Sequence, residues 1–265
     1  MFDNINLGYT LAGAFVSFLV GLTGVGGGSL MSPILILVFG VSPALAVGTD
    51  LWFAAVTKTV GGAAHHKLQS VDWYVVRRLA MASIPAAVLT LLWLWLFQDG
   101  ELDDKPLKQL LGSALLLTAI LMLLKKRIQP SLMKLRTRMS TNLRSRQRLL
   151  IMAGGAVVGG LVTLTSVGAG ALVAVLLAMA YPIRLSSKQI VGTDIVHAVP
   201  LTLVAGFGHS LLGNVDGWML ASLLIGSIPG IVVGSLVGGK IPEDWVRYAL
   251  ATMLVVSSLK MLGVF

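Results

Sequence analysis

Apolar residues run along this chain in long blocks separated by short polar stretches. The blocks fall at about 5–22, 28–40, 43–64, 74–97 and 106–124. After a strongly basic stretch they fall at about 149–165, 169–181, 189–208, 217–239 and 244–263. Most approach the ~20 residues that a helix needs to cross a hydrocarbon core. The pattern predicts an all-α integral membrane protein of about ten hydrophobic segments. The second and seventh blocks are short, and each follows a glycine run, GVGGGSLMSP at 24–33 and SVGAGAL at 166–172. Short, glycine-interrupted segments at corresponding places in two halves point to a substrate site.

The two halves are related. Residues 47–85 align without a gap with residues 191–229 and match at 15 of 39 positions. Gly48-Thr49-Asp50 matches Gly192-Thr193-Asp194, His65 matches His209, Asp72 matches Asp216, and Ser83-Ile84-Pro85 matches Ser227-Ile228-Pro229. Such self-similarity marks an internal repeat. The expected organisation is a first repeat over 1–124, a basic cytoplasmic linker over 125–148 and a second repeat over 149–265, with the second segment of each repeat short or broken.

Charge decides how the segments are oriented. Only 12% of residues are charged and mean hydropathy is +0.88, against about 25% charged in a soluble domain. The net charge of +9 is concentrated in 125–148, which holds Lys125, Lys126, Arg127, Lys134, Arg136, Arg138, Arg144, Arg146 and Arg148 and no acid. A nucleic-acid or anionic-lipid patch is the alternative to a cytoplasmic linker that obeys the positive-inside rule; between two hydrophobic halves the linker is the reading adopted. Five crossings per repeat would invert the halves and put 16 basic residues inside against 3 outside. Treating the two short segments as re-entrant gives parallel repeats, with 13 inside and 6 outside. The rule favours two inverted five-segment repeats in a bacterial inner membrane. The absence of cysteine excludes disulfides and thiolate chemistry. Asp3 without a basic region argues against a cleaved signal peptide.

Candidate chemistry lies inside the apolar blocks. Glycines let the backbone unwind within the membrane, so that freed N–H groups at a half-helix start can face an anion. Gly26, Gly27, Gly28 and Ser29 in the first half, and Ser166, Gly168 and Gly170 in the second, are candidate substrate-binding residues, as are Thr49 and Thr193. The competing reading is helix packing through small residues. Asp50 and Asp194 each lie about seven residues into a block, roughly 10 Å deep, where a carboxylate is costly and usually functional. Each is a candidate helix cap or proton-coupling group, and both follow a Gly-Thr pair as a chain entering a helix would. His197, three residues after Asp194, shares its helical face and could complete a proton relay. Lys58 is the one basic residue in the middle of an apolar block and a candidate counter-charge for an anion, unless it snorkels to the interface. Its counterpart in the second half is Thr202. His65 and His209 end matching blocks, which suits a structural or gating role. There is no HExxH, no nucleophile with a placed base and no phosphate-binding loop, so neither an enzyme nor a metal or cofactor site is expected.

At these residues the sequence resembles the TauE/SafE family of sulfite exporters. The resemblance is carried by GLTGVGGGSLMSPIL (21–35), AVGTDL (46–51), SVDW (70–73), TLTSVGAGAL (163–172), VGTDI with HAVPLTLVAG (191–206), and GNVD with GSIPG (213–230). It implies a permease that moves small sulfur-containing anions such as sulfite or organosulfonates, with protons as a candidate coupling ion. An anion channel of the same fold, or a permease for another small anion, is the alternative. The basic stretch is the least family-like part.

Overall fold

In the computed structural model the described residues are 5–23, 30–97, 104–137, 143–168, 170–181, 184–238 and 243–264. They form ten helices: α1 (Leu7–Thr23), α2 (Met31–Leu37), α3 (Pro43–Lys67), α4 (Trp73–Phe97), α5 (Asp104–Thr137), α6 (Leu143–Thr165), α7 (Ala171–Ala180), α8 (Ser187–Leu211), α9 (Gly217–Gly238) and α10 (Glu243–Met261). The protein is all-helical, as the apolar pattern predicts. Among the described residues, five helices are long and apolar enough to cross a membrane. Large apolar side chains such as Leu89, Trp95, Phe207 and Leu236 point outward instead of into the core, as they must where lipid is the solvent.

The short second segment appears in both halves. Helix α2 has 7 residues and α7 has 10, about 10 and 15 Å at ~1.5 Å per residue, against a core of about 30 Å. Among the described residues the basic stretch is helical. Helix α5 continues to Thr137 and α6 begins at Leu143, because Lys, Arg, Leu, Gln and Met are all good helix formers. Charge forbids this part of the helix the hydrocarbon, not the helical conformation.

Packing is reciprocal between the halves. The first helix of each repeat lies on the fourth helix of the other, α1 on α9 and α6 on α4, while the equivalent pairs α3·α8 and α5·α10 pack on each other. Along α9, Gly226, Gly230 and Gly234 face the α1 backbone so closely that an added Cβ would lie 1.8–2.2 Å from the carbonyl oxygens of Thr10, Ala14 and Phe18. Small residues every fourth position permit this approach, and their register shows that α1 and α9 run parallel. On α6, Gly155 and Gly159 meet Leu79 and Ser83 of α4, again in parallel.

The central pair runs the other way. Gly48 abuts Asn214, Trp52 Nε1 donates to Ser210 Oγ at 2.8 Å, Gly62 meets Val196, and Gly192 abuts Ser70. Helices α3 and α8 are therefore antiparallel. Contacts of α4 with α8, Ser83 with His197 and Leu91 with Gly208, run parallel. It follows that α6 and α8 point the same way, so the chain between them must return along the body. These directions gather Lys67, Arg77, Arg78, Arg184 and Lys188 at one end of the bundle.

Candidate functional site

The α3·α8 crossing holds polar side chains at its centre. Thr49, Asp50, Thr57, Lys58, Thr193, Asp194, His197 and Thr202 are all buried. Lys58 lies between the levels at which α3 meets the two ends of α8, and only 7% of it is exposed. Its ammonium interacts electrostatically first with Asp194 and then with Asp50. Lysine does not snorkel out here: its side chain is buried within protein, in electrostatic reach of both carboxylates.

The two acids have different surroundings. Asp50 Oδ2 accepts from Ser32 Oγ at 2.6 Å and from the Ser32 N–H at 3.2 Å. Ser32 is the second residue of α2, where the first backbone N–H groups have no partner within the helix. Asp50 thus caps the half-helix from across the fold. It does not cap its own helix: α3 starts at Pro43, seven residues earlier, with proline in the first turn, where its missing N–H costs nothing. Likewise α8 is capped by Ser186, whose hydroxyl accepts from the Gln189 N–H while the Gln189 side chain accepts from the Ser186 N–H. Asp194 lies eight residues beyond this cap, so the idea that the Gly-Thr pair marks a helix entry is wrong for both acids. Ser166 also faces Asp50, with φ +55° at the point where α6 ends.

His197 lies one turn beyond Asp194, and its Nε2 is 2.8 Å from Ser83 Oγ of α4. Its Nδ1 is buried without a hydrogen-bond partner, and Lys58 is its charged neighbour. His197 and Ser83 thus form a buried polar pair that ties α8 to α4.

The threonines serve the fold. Thr49 Oγ1 accepts the Asp216 N–H at 3.2 Å, and Thr193 Oγ1 accepts the Asp72 N–H at 3.0 Å. Each repeat thereby pins the turn before the other repeat's fourth helix. The glycines before them complete the joint: a Cβ on Gly48 would lie 1.9 Å from Asn214 O, and one on Gly192 2.4 Å from Ser70 O. The structure gives both threonine hydroxyls, expected to bind substrate, a structural partner. His65 Nδ1 pairs with Ser70 Oγ at 2.9 Å, and His209 Nε2 donates to Thr163 O at 2.9 Å, so both are structural.

Of the glycine-rich stretches, Gly26, Gly27, Gly28 and Ser29 lie outside the described residues. Gly168 has φ +108°, a conformation that a side chain disfavours, and Gly170 directly precedes α7. Ser32 and Ser83, absent from the sequence-based candidates, belong to the site. Their signal was a hydroxyl inside an apolar block, which is weak because such hydroxyls usually bond to their own helix. Arg184 was counted only as a basic residue. It forms a two-point pair with Asp72, Nε to Oδ2 at 2.9 Å and Nη2 to Oδ1 at 3.2 Å, beside Tyr74.

Residues 9–261 match the family model described as "Sulfite exporter TauE/SafE". The chain belongs to the TauE/SafE family. It is 38% identical over 253 residues, 95% of this chain and 98% of the relative, to the "Probable membrane transporter protein YjnA" of Bacillus subtilis. It is 28% identical over 220 residues, 79% of this chain and 73% of the relative, to the "Probable membrane transporter protein MJ0441" of Methanocaldococcus jannaschii. No solved structure matches the chain. A multi-pass TauE/SafE membrane transporter accounts for the outward apolar faces and for the buried polar centre.

Proposed function

We propose that this transporter is a secondary exporter of small sulfur-containing anions, sulfite or organosulfonates, across the bacterial inner membrane, and that its two halves are inverted. The observation that carries the reading is Lys58, a buried cation on the helix pair where the halves cross, on the same helix as Asp50, which Ser32 at the start of α2 and Ser166 at the end of α6 both face. An anion without its water needs a fixed positive charge, and the ends of broken helices supply oriented N–H groups around it. Inversion is supported by the antiparallel α3 and α8, which are equivalent in the repeat. The basic end of the bundle faces the cytoplasm by the positive-inside rule.

Purified protein in liposomes, offered radiolabelled sulfite, sulfate and a set of organosulfonates, tests the substrate. Saturable sulfite or organosulfonate flux with counterflow is expected. Conductance without saturation would instead mark a channel. Single cysteines at Asn4, Ser140 and Val264 test the orientation. Ser140→Cys should resist an external membrane-impermeant thiol reagent, while the two ends react.

A further inference from the structure

The two ends of the α3·α8 crossing are closed by the same joint, yet only one of them carries a second fastening. At the basic end the turn before α4 lies on α8 through the bond from the Asp72 N–H to Thr193. At the other end the turn before α9 lies on α3 through the bond from the Asp216 N–H to Thr49. Both acids also cap the helix that follows. Asp72 Oδ1 accepts the Val75 N–H at 3.2 Å, and Asp216 Oδ1 accepts those of Trp218 and Met219 at 2.9 and 3.0 Å. Asp72 does more: its carboxylate takes the fork of Arg184, with Nη2 also 2.8 Å from Oδ2. The same guanidinium lies 4.8 Å from the ring centroid of Tyr74 and 5.8 Å from that of Tyr181. A planar guanidinium suits both a two-point carboxylate and an aromatic face. Arg184 and Tyr181 belong to the second repeat, Asp72 and Tyr74 to the first. At the offset of 144 that relates the repeats, Arg184 corresponds to Gly40, which has φ +68° and where a Cβ would meet no atom within 4 Å. Among the described residues Asp216 forms no ion pair.

A transporter with a buried centre opens one end at a time, and rocking one half against the other parts the joint at that end. With equal joints the two openings would be nearly equal in free energy. We propose that Arg184 and Asp72 form a one-sided latch across the two repeats, which parts when the basic end opens and makes that opening rarer than opening at the other end. The latch sits directly over the joint, since the Asp72 backbone is bonded to Thr193, the residue before the buried Asp194. The inference uses membership of a transporter family alone. It holds whichever small anion is carried and whichever side of the membrane the basic end faces.

The chain has no cysteine, so single introduced thiols report opening. Ala180, the last residue of α7 and next to Tyr181, is buried at the basic end, and Ala46, two residues before Gly48, is buried at the other. Full-length protein carrying Ala180→Cys or Ala46→Cys is placed in nanodiscs, where both faces meet a membrane-impermeant maleimide, and the rate of labelling is measured. Asp72→Asn removes the charge and keeps the cap on α4, since asparagine caps about as well as aspartate. It is expected to raise labelling at position 180 about fivefold and to leave position 46 no faster. Arg184→Gln should do the same, and the two changes together no more than either alone. Arg184→Lys keeps the charge without the fork and should fall between. Asp216→Asn has no ion pair to lose and should change neither rate. Unchanged labelling at position 180 in both Asp72→Asn and Arg184→Gln would overturn the latch. So would an equal rise at both ends, because the pair would then only hold the fold together. These rates are independent of sulfite flux, which tests the substrate proposed above and not the latch.

Discussion

The two repeats agree at their joints and differ at their centre. Thr49 and Thr193 make the same bond to the other half, and Gly48 and Gly192 make the same close approach. At the centre, Lys58 stands where the second half has Thr202, and His197 stands where the first half has the buried Phe53. Aligned through their glycine-rich stretches, Ser32 corresponds to Ala174 and Ser166 to Gly24, so the two serines that face Asp50 are not repeated in sequence. The lesson is a division of labour. What is duplicated closes the halves on one another, and what is unique confers a charged, one-sided interior on a nearly two-fold body.

Removing the unique cation should break this comparison most severely. Lys58→Met is expected to reduce sulfite flux in proteoliposomes more than 100-fold, since the matching place in the second half holds Thr202, while the protein still elutes as a folded species. Substantial flux in this variant would mean that the anion is held elsewhere. The next largest effect falls on the joints. Gly48→Val and Gly192→Val each force a branched side chain against a carbonyl, and each should cost about 3 kcal/mol, read as lower melting temperatures in detergent. Similar losses in both would sharpen the equivalence of the joints; a loss in one alone would break it.

The acids should respond unequally. Asp50→Asn keeps an oxygen for Ser32 and should retain most stability and substantial flux. Asp50→Ala leaves the start of α2 uncapped, for about 1–2 kcal/mol. Asp194→Asn should melt near the native temperature yet lose more transport than Asp50→Asn, measured as sulfite flux across pH 6–8. Equal and complete loss in both asparagine variants, with folding unchanged, would defeat the capping role of Asp50. The smallest effects belong to the pins: Thr49→Val and Thr193→Val each leave one backbone N–H unsatisfied, and each should cost about 1 kcal/mol.

Much of this was legible in the sequence, for identifiable reasons. Apolar block length is set by bilayer thickness, so ten helices with two short ones could be read directly. The duplicated Gly-Thr-Asp stretch exposed the repeat, because every joint is needed twice. The depth of Asp50, Asp194 and Lys58 marked the polar centre, because charge inside an apolar block is costly. The reading of Asp50 and the threonines went astray for one reason: their partners are distant in the chain. Ser32 lies 18 residues from Asp50, Asp216 lies 167 from Thr49 and Asp72 lies 121 from Thr193, and local periodicity carries no information over such separations.

The sequence by itself determined the solvent and the succession of long and short helices, since these depend only on composition and on patterns within one segment. The tertiary structure alone decided that α3 and α8 cross antiparallel, that Asp50 caps α2 rather than its own helix, and that Lys58 is buried within protein instead of reaching the interface. Those choices follow from which backbone can approach which, a matter of glycine positions and carbonyl directions on helices that are separate in the chain. A hydrogen bond between two such helices acquires meaning only once packing has excluded water and lipid from the space between them.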